Sequence, residues 1–435
     1  MNPLRTLGDL DAPFAWNGRR LYRAEDFAPD TPVPFELRGA VASVTSTRSE
    51  ARLMRDPLGL NKLFWVLGAS HTLFLSARPK RLVAEGFALK EIRAIPRGCV
   101  LDRRPGAAGS SSSSIVPKQW QEARAEWAGT ASINNIGTRI RCNLDWYLDA
   151  IAAAHPAARA FVCCSGGLDS SGIAALVARH FSDVVGVSFD LDRRGCGASE
   201  DRAMAERLCH DLGIPLLKAT VRPERLLDHL DTVLVEGIDW RDFNVHAGLV
   251  NAVLAEAVAA TKAREPIVFT GDLANEFLAD YHEEKYQGET YYRLPRLSPG
   301  ALRASLVRGL DTSNREVGVF AAWGLPIVQP YAVAVDAYLD LPNSFLRLPD
   351  AKQQLCRSVF GDLVPSYVYE RPKVRAQIGD AKAGAGVLAT CVDRGFDQEW
   401  LRGRFALLHD ANPGDVERFM RGGRYRAAVP TREEW

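Results

Sequence analysis

The feature that most constrains this chain is an unbroken succession of strand, glycine turn and helix signals across residues 160–180. Residues 160–164 are a continuous apolar run, Ser165-Gly166-Gly167-Leu168-Asp169-Ser170-Ser171 follows, and residues 171–180 carry apolar side chains at helical spacing. A short apolar run closed by glycines reads as a strand buried on both faces, the habit of parallel sheets covered by helices. The alternation continues, with strand patterns at 184–189, 215–221 and 266–270 and a helical pattern over 199–212. Apolar strands separated by helices predict an α/β fold with a parallel sheet between helical layers. Residues beyond Gly300 read as mainly helical.

The loop between the first strand and first helix of that sheet has its own chemistry. Two glycines let the backbone turn sharply and come close to a ligand. Backbone N–H groups there and at the helix start can converge on a phosphate, helped by the helix dipole. Ser165, Ser170 and Ser171 add hydroxyl donors, and Asp169 is placed to hold Mg²⁺ against phosphates. Neither G-x-x-x-x-G-K-[ST] nor G-x-G-x-x-G is present. The bland alternative is a Gly-Gly turn capped by Asp and Ser.

Upstream of the sheet the pattern changes. Residues 35–44, 63–67 and 72–76 read as short strands, with Asp56-Pro57-Leu58-Gly59 as a turn, and helical patterns run over about 119–154. Between them, Pro105-Gly106-Ala107-Ala108-Gly109 and the serines 110–114 read as a linker or an ordered surface loop. The expected organisation is a small β-rich domain at 1–104, a linker at 105–118 and a larger domain at 119–435. With 435 residues and a net charge of +1, the chain has room for two domains and no basic surplus pointing to a nucleic-acid partner. The N-terminus lacks a signal-peptide pattern, and no apolar stretch of transmembrane length stands out, so no membrane partner is expected. Eight scattered cysteines without C-x-x-C predict reduced thiols in a cytoplasmic protein.

The Ser165–Ser171 loop resembles the S-G-G-x-D-S loop of the ATP-pyrophosphatase superfamily, which cleaves ATP between the α- and β-phosphates. Further segments are similar, in order, to the asparagine synthetase and β-lactam synthetase branch. Arg55-Asp56-Pro57-Leu58-Gly59, then 76–85 and Ile95-Pro96-Arg97-Gly98, resemble parts of that family's class II glutaminase domain. Thr270-Gly271-Asp272-Leu273-Ala274-Asn275-Glu276 resembles its G-[EDY]-G-[AS]-D-E loop. Residues 323–331 resemble a W-G-V-E-A-R-V-P-F helix end, and Arg371-Pro372-Lys373 the R-P-K-x-G segment of β-lactam synthetases. The likeness covers roughly 35–390.

The resemblance implies ATP and Mg²⁺ as cofactors. Ser165, Gly166, Gly167, Leu168, Asp169, Ser170, Ser171, Ser188 and Gly271 fall at ATP-binding positions, and Asp169, Asn275 and Glu276 at metal positions. Asn275 departs from the family's aspartate and would hold a metal less strongly, with Glu276 or Asp272 to compensate. Asp272 is the candidate base for the attacking amine, or else a helix cap. Lys373 would stabilise negative charge in the transition state, or else is a solvated lysine. Glu200 and Asp201 could hold a second Mg²⁺ or solvate a helix start, and His246 lies where relatives shape their pocket.

Residue 2 is Asn2, where a class II glutaminase needs its nucleophilic cysteine, so the N-terminal module is expected to be a truncated relic. These readings predict an ATP-dependent, AMP- and pyrophosphate-forming amide synthetase without glutaminase activity, acting in specialised metabolism such as antibiotic biosynthesis. It would join a small-molecule carboxylate to an amine, intermolecularly or within one molecule as β-lactam synthetases do. The resemblance also permits a homodimer. Alternatives are a lasso-type macrolactam cyclase acting on a short peptide, a non-catalytic ATP-binding scaffold favoured by Asn275, and tRNA thiolation. Thiolation would need a basic face and an accessible cysteine.

Overall fold

The protein is described here from a computed structural model, which covers residues 4–8, 10, 14–29, 31–34, 36–47, 50–68, 72–103, 110–114, 132–192, 199–371 and 386–421. Its centre is a five-stranded, wholly parallel sheet. In chain order the strands are β11 (Arg159–Cys163), β12 (Val184–Leu191), β13 (Leu216–Val221), β14 (Pro266–Phe269) and β17 (Ile327–Val328), arranged β13-β12-β11-β14-β17. The first four were legible as apolar runs. The two-residue β17 was not, because it is too short to show a period and is fixed by pairing with Val268 and Phe269.

Both faces of this sheet are covered, as its continuous apolar strands require. Ala160 and Val162 face one core with the helices Ile133–Ala154 and Leu168–His180, while Phe161 between them faces the other core. Val268 likewise points opposite to Ile267 and Phe269. The helix Asp242–Ala260 lies over β12 and β13 in the second core. By length and composition alone this helix could cross a membrane, a match that inspection of the sequence missed; 61% of that window is buried inside the protein.

The chain runs from β11 outward through β12 to β13, then crosses back to place β14 on the opposite side of β11. The strand order therefore reverses between β11 and β14. Crevices outside the carboxyl ends of strands at such a reversal are where open α/β sheets bind ligands.

The N-terminal region is β-rich. One sheet has the order β1-β7-β6-β8, from Leu4–Thr6, Leu73–Ser76, Phe64–Leu67 and Arg93–Ala94. A second runs β10-β9-β5-β4, from Ser110–Ser114, Cys99–Arg103, Ala51–Arg55 and Ala42–Ser46. The serines expected to form part of a linker instead make an edge strand, paired antiparallel with Cys99–Arg103. Side-chain composition argues for a tether, but an open strand edge recruits backbone groups whatever side chains they carry.

The two regions share their cores. Phe14, Trp16, Leu58 and Leu60 pack in the cluster with the first face of the parallel sheet, and Phe64, Val66 and Leu82 in the cluster with its second face. The segment starting at Arg55 is the rivet between them. Arg55 is completely buried; its guanidinium donates to the carbonyls of Asn61 (2.6 Å), Ile95 (2.8 Å), Gly59 (2.8 Å) and Asp311 (2.9 Å) and pairs with the Asp311 carboxylate at 2.6 Å. Asp56 shapes the turn by accepting from the backbone N–H groups of Leu60 (2.9 Å) and Asn61 (3.0 Å). Lys62 Nζ reaches the Leu310 carbonyl at 3.0 Å, and burial followed by the nearby Arg55 charge draws its ammonium down to about 7.

Candidate functional site

A cleft of about 510 Å³ opens at the carboxyl ends of β11, β12 and β14, at the reversal point of the sheet. Its floor is the loop after β11. Gly166 takes φ +68°, where side chains are strained, and a Cβ there would lie 2.3 Å from Met204 Cγ. Two hydroxyls brace the turn. Ser170 Oγ accepts from the Ser165 N–H (3.2 Å) and donates to the Gly167 carbonyl (3.2 Å), while Ser165 Oγ accepts from the Gly167 N–H (3.3 Å). The helix Leu168–His180 starts immediately after Gly167, so its first N–H groups and dipole open toward the cleft.

The loop after β14 presses against this floor. A Cβ on Gly271 would come within 2.6 Å of the Ser170 nitrogen and 2.8 Å of the Asp169 carbonyl carbon, so the two loops touch through backbone alone. Arg371 clamps the floor from another side, donating to the Ser165 carbonyl (2.8 Å) and to Asp201 (2.5 Å). Asp201, read from the sequence as a metal or helix-start residue, is thus a buried partner of Arg371; burial pushes its carboxyl up against the pull of that cation.

Of the residues expected to bind ATP, Ser165, Gly167, Leu168, Asp169, Ser170, Ser188 and Gly271 line the cleft. Gly166 shapes the loop from behind, and Ser171 is buried in the helix without lining the cleft. The buried Ser188 hydroxyl has no hydrogen-bond partner among the described residues. A buried polar atom on a cleft wall is costly unless a ligand or water satisfies it. Val187, Phe189, Ala247, Val250 and Leu254 add an apolar wall beside Ser188, suited to a flat heterocycle.

The expected metal set does not converge. Asp169 Oδ2 and Asn275 Oδ1 both accept from Lys352 Nζ, at 2.5 and 2.7 Å, and Asp280 lies 3.3 Å from the same ammonium. Burial works to discharge Lys352, but Asp169 and Asp280 outweigh it and raise its pKa above the ordinary lysine range. Glu276 faces elsewhere. It accepts from Tyr281 Oη at 2.6 Å and pairs with Arg315 at 3.1 Å. Among the described residues no group of three or more His, Cys, Asp or Glu is arranged to hold a metal ion.

Asp272 lines the same cleft, half-buried. Desolvation first and the neighbouring Glu316 charge second push its carboxyl up to about 7. At that value it is a carboxylic acid or a carboxylate with comparable ease near neutral pH, as a proton acceptor for an amine requires. Lys373 lies outside the described residues. His246 is buried, hydrogen-bonded through Nδ1 to Tyr292 Oη at 2.9 Å and drawn down to about 3 by burial, so it is a neutral core residue.

Sequence reasoning overlooked the charged wall of the cleft. Arg315 lies over the Phe243 ring (4.8 Å), donates to Asn244 Oδ1 (2.5 Å) and pairs with both Glu276 and Glu316. Phe243, Tyr281, Arg315 and Glu316 also line a second cavity of about 550 Å³, which Asp242, Asn244, Tyr292 and Ser313 help enclose. No motif marks these residues, which come from separate helices and loops; only Glu316 and Arg315, adjacent charges beside an apolar helix, gave a local hint.

Residues 150–321 match the family model described as asparagine synthase. Two curated tRNA-specific 2-thiouridylases named MnmA, from Methylobacterium nodulans and Methylobacterium sp. strain 4-46, are each 33% identical over 165 residues. The match takes in 36% of this chain and 38% of each of those relatives. Among solved structures, the chain aligns with an NMN synthetase from Francisella tularensis at TM-score 0.32 and 13% identity, over 69% of this chain and 98% of that one. An NH3-dependent NAD synthetase from Campylobacter jejuni aligns at TM-score 0.26 and 15% identity, over 35% and 62% respectively.

Proposed function

We propose that the protein is an ATP-dependent, AMP- and pyrophosphate-forming amide synthetase, in which ATP is held by the loop after β11. The observation that carries this reading is the contact of the two loops at the sheet's reversal point, which sets the glycine turn and helix start after β11 beside a carboxyl poised near neutrality. The match of residues 150–321 to the asparagine synthase family model supports the same chemistry. In this reading the adenine lies along the wall of Val187, Ser188 and Phe189, and the phosphates follow the N–H groups of Gly167 and the helix start. A substrate carboxylate, entering from the second cavity, attacks the α-phosphorus and pyrophosphate leaves. An amine then attacks the acyl-adenylate, Asp272 accepts its proton, and AMP leaves. Dividing the condensation this way replaces one difficult step with two easier ones. Lys373 remains our candidate for stabilising the oxyanion.

We further propose that residues 1–104 act as a scaffold and not as a glutaminase. Cys99 is the sole cysteine in that stretch, and burial pushes its thiol up, away from the thiolate a nucleophile needs. The amine is then part of the substrate or a free small amine.

Thiolation of tRNA is a second reading, favoured by the names of the two curated relatives. Against it, Cys163 and Cys164 on the cleft wall are both held as neutral thiols: burial raises Cys163, while the Cys209 contact and burial raise Cys164. A substrate labelled with ¹⁸O in its carboxylate separates the readings. Amide synthesis transfers one ¹⁸O to AMP; AMP free of label, or formed only when tRNA is supplied, rejects it.

A further inference from the structure

We propose that the second cavity takes the body of a hydroxylated aromatic carboxylic acid, and that Gln329 is the residue that selects it. The inference rests on the ATP reading above, in which the acid reaches the cleft from that cavity. Two observations carry it. The first is an orphaned acceptor. Gln329 follows β17 directly, and the pairing of Phe269 with Val328 sets it level with Thr270, two residues before Asp272. It is 5% exposed and lines the cavity of about 550 Å³, yet its Oε1 has no hydrogen-bond partner among the described residues. A buried carbonyl oxygen on a cavity wall calls for a donor from the ligand. The second is the character of the remaining wall. Phe243 meets Tyr281 and Tyr292 edge to face, with ring centres 5.3 and 5.2 Å apart, and Pro295, Leu306 and Leu310 add apolar surface. The charged groups of the wall are engaged or lie at the rim: Arg241 pairs with Asp239, Arg315 with Glu276 and Glu316, Asp242 accepts from the Phe243 N–H, and Arg293 is exposed. That arrangement favours a neutral body over a charged one. An aryl ring packs edge to face on such walls. A phenolic hydroxyl both donates and accepts, so it satisfies the Gln329 amide whichever way that amide is turned. Phe243, Tyr281, Arg315 and Glu316 border both cavities, so an acid seated this way can present its carboxylate to the cleft.

The test measures binding, with no turnover required. Acylsulfamoyl adenosines, non-hydrolysable mimics of acyl-adenylates, are compared by calorimetry on the intact protein. The acyl groups are acetyl, phenylpropanoyl and para-hydroxyphenylpropanoyl, and AMP is the reference. The phenyl compound should bind at least about tenfold tighter than the acetyl one, and the hydroxyphenyl compound at least about tenfold tighter again. Gln329→Leu should bring the two aryl compounds within about threefold of each other, while the phenyl compound keeps its advantage over acetyl. Equal affinity of the two aryl compounds for the unaltered protein, or an acetyl compound as tight as either, overturns the proposal. So does a preference for the hydroxyl that survives Gln329→Leu. Should that variant fail to fold, the comparison on the unaltered protein still decides. Should the unaltered protein bind neither AMP nor any mimic, the ATP reading falls and takes this inference with it; binding of AMP and the acetyl mimic without the aryl gain sinks this inference alone.

Discussion

Replacing Gly271 by alanine adds one methyl group where the loops after β11 and β14 touch. That methyl would sit 2.6 Å from the Ser170 nitrogen and 2.9 Å from its Cα, and both are backbone atoms that cannot rotate away. Ordinary contact begins near 3.4 Å, so the loops must part by about 0.8 Å. Overpacking of this kind costs about 1–3 kcal/mol. If the loop after β11 yields and holds ATP as proposed, that energy appears as weakened ATP binding, about 5- to 150-fold at about 1.4 kcal/mol per decade. Catalysis should suffer more, because a displacement of about 1 Å can cost on the order of a hundredfold in rate. Calorimetry with a non-cleavable ATP analogue, beside a urea unfolding curve, reads both quantities. Gly167→Ala is the companion, since its Cβ would meet only the Ser165 hydroxyl at 3.3 Å and should weaken binding much less. ATP affinity and unfolding midpoint both unchanged in Gly271→Ala would refute the idea that backbone contact between the loops shapes the site.

The Asp272 carboxyl, raised to about 7, should give kcat/KM an acid limb near pH 7, with activity falling tenfold per pH unit below it. Glu316→Gln removes a charge that helps raise Asp272 and should move the limb to lower pH, and Asp272→Asn should abolish it; an unmoved limb in both variants discards Asp272 as the base. The same shift has a stability sign. Folded Asp272 keeps a proton that the unfolded chain releases near pH 4, so the stability it contributes is lost as pH rises to about 7, and Asp272→Asn should flatten that part of the urea-midpoint profile. Arg55→Ala strips the partner from the fully buried Asp311 carboxylate and leaves several carbonyls unmet, at a cost of about 3–5 kcal/mol; a loss below about 1 kcal/mol by urea unfolding would mean the rivet is dispensable. Gly403 lies exposed in the helix Gln398–Leu408 with open space around it, so Gly403→Ala should raise stability by about 0.5–1 kcal/mol.

The parallel sheet was legible because its strands are buried on both faces, which leaves continuous apolar runs such as 160–164 that no surface element would carry. The glycine turn between the first strand and helix of the sheet was legible for a related reason: its glycines, serines and aspartate are contiguous, so composition and position carry the message together. What escaped was assembled from distant segments. Lys352 reads as an ordinary charge near the start of a helix until folding brings it across Asp169 and Asn275, more than seventy residues away from either. Arg315, Tyr281 and Phe243 meet in the same way. Glu276 sits in a recognisable motif, yet its contacts with Arg315 and Tyr281 could not be read from that motif, because both partners come from outside it. The serine edge strand reflects pairing by a backbone whose side chains give no strand signal.

The central claim concerns which bond of ATP is cleaved. The direct measurement incubates the protein with ATP and Mg²⁺ over a panel of amino acids, β-amino acids and short peptides, separates the nucleotide products and assays pyrophosphate. The account predicts AMP and pyrophosphate in equal amounts with the correct acid, and neither with Asp169→Ala. ADP and orthophosphate as the products would contradict it.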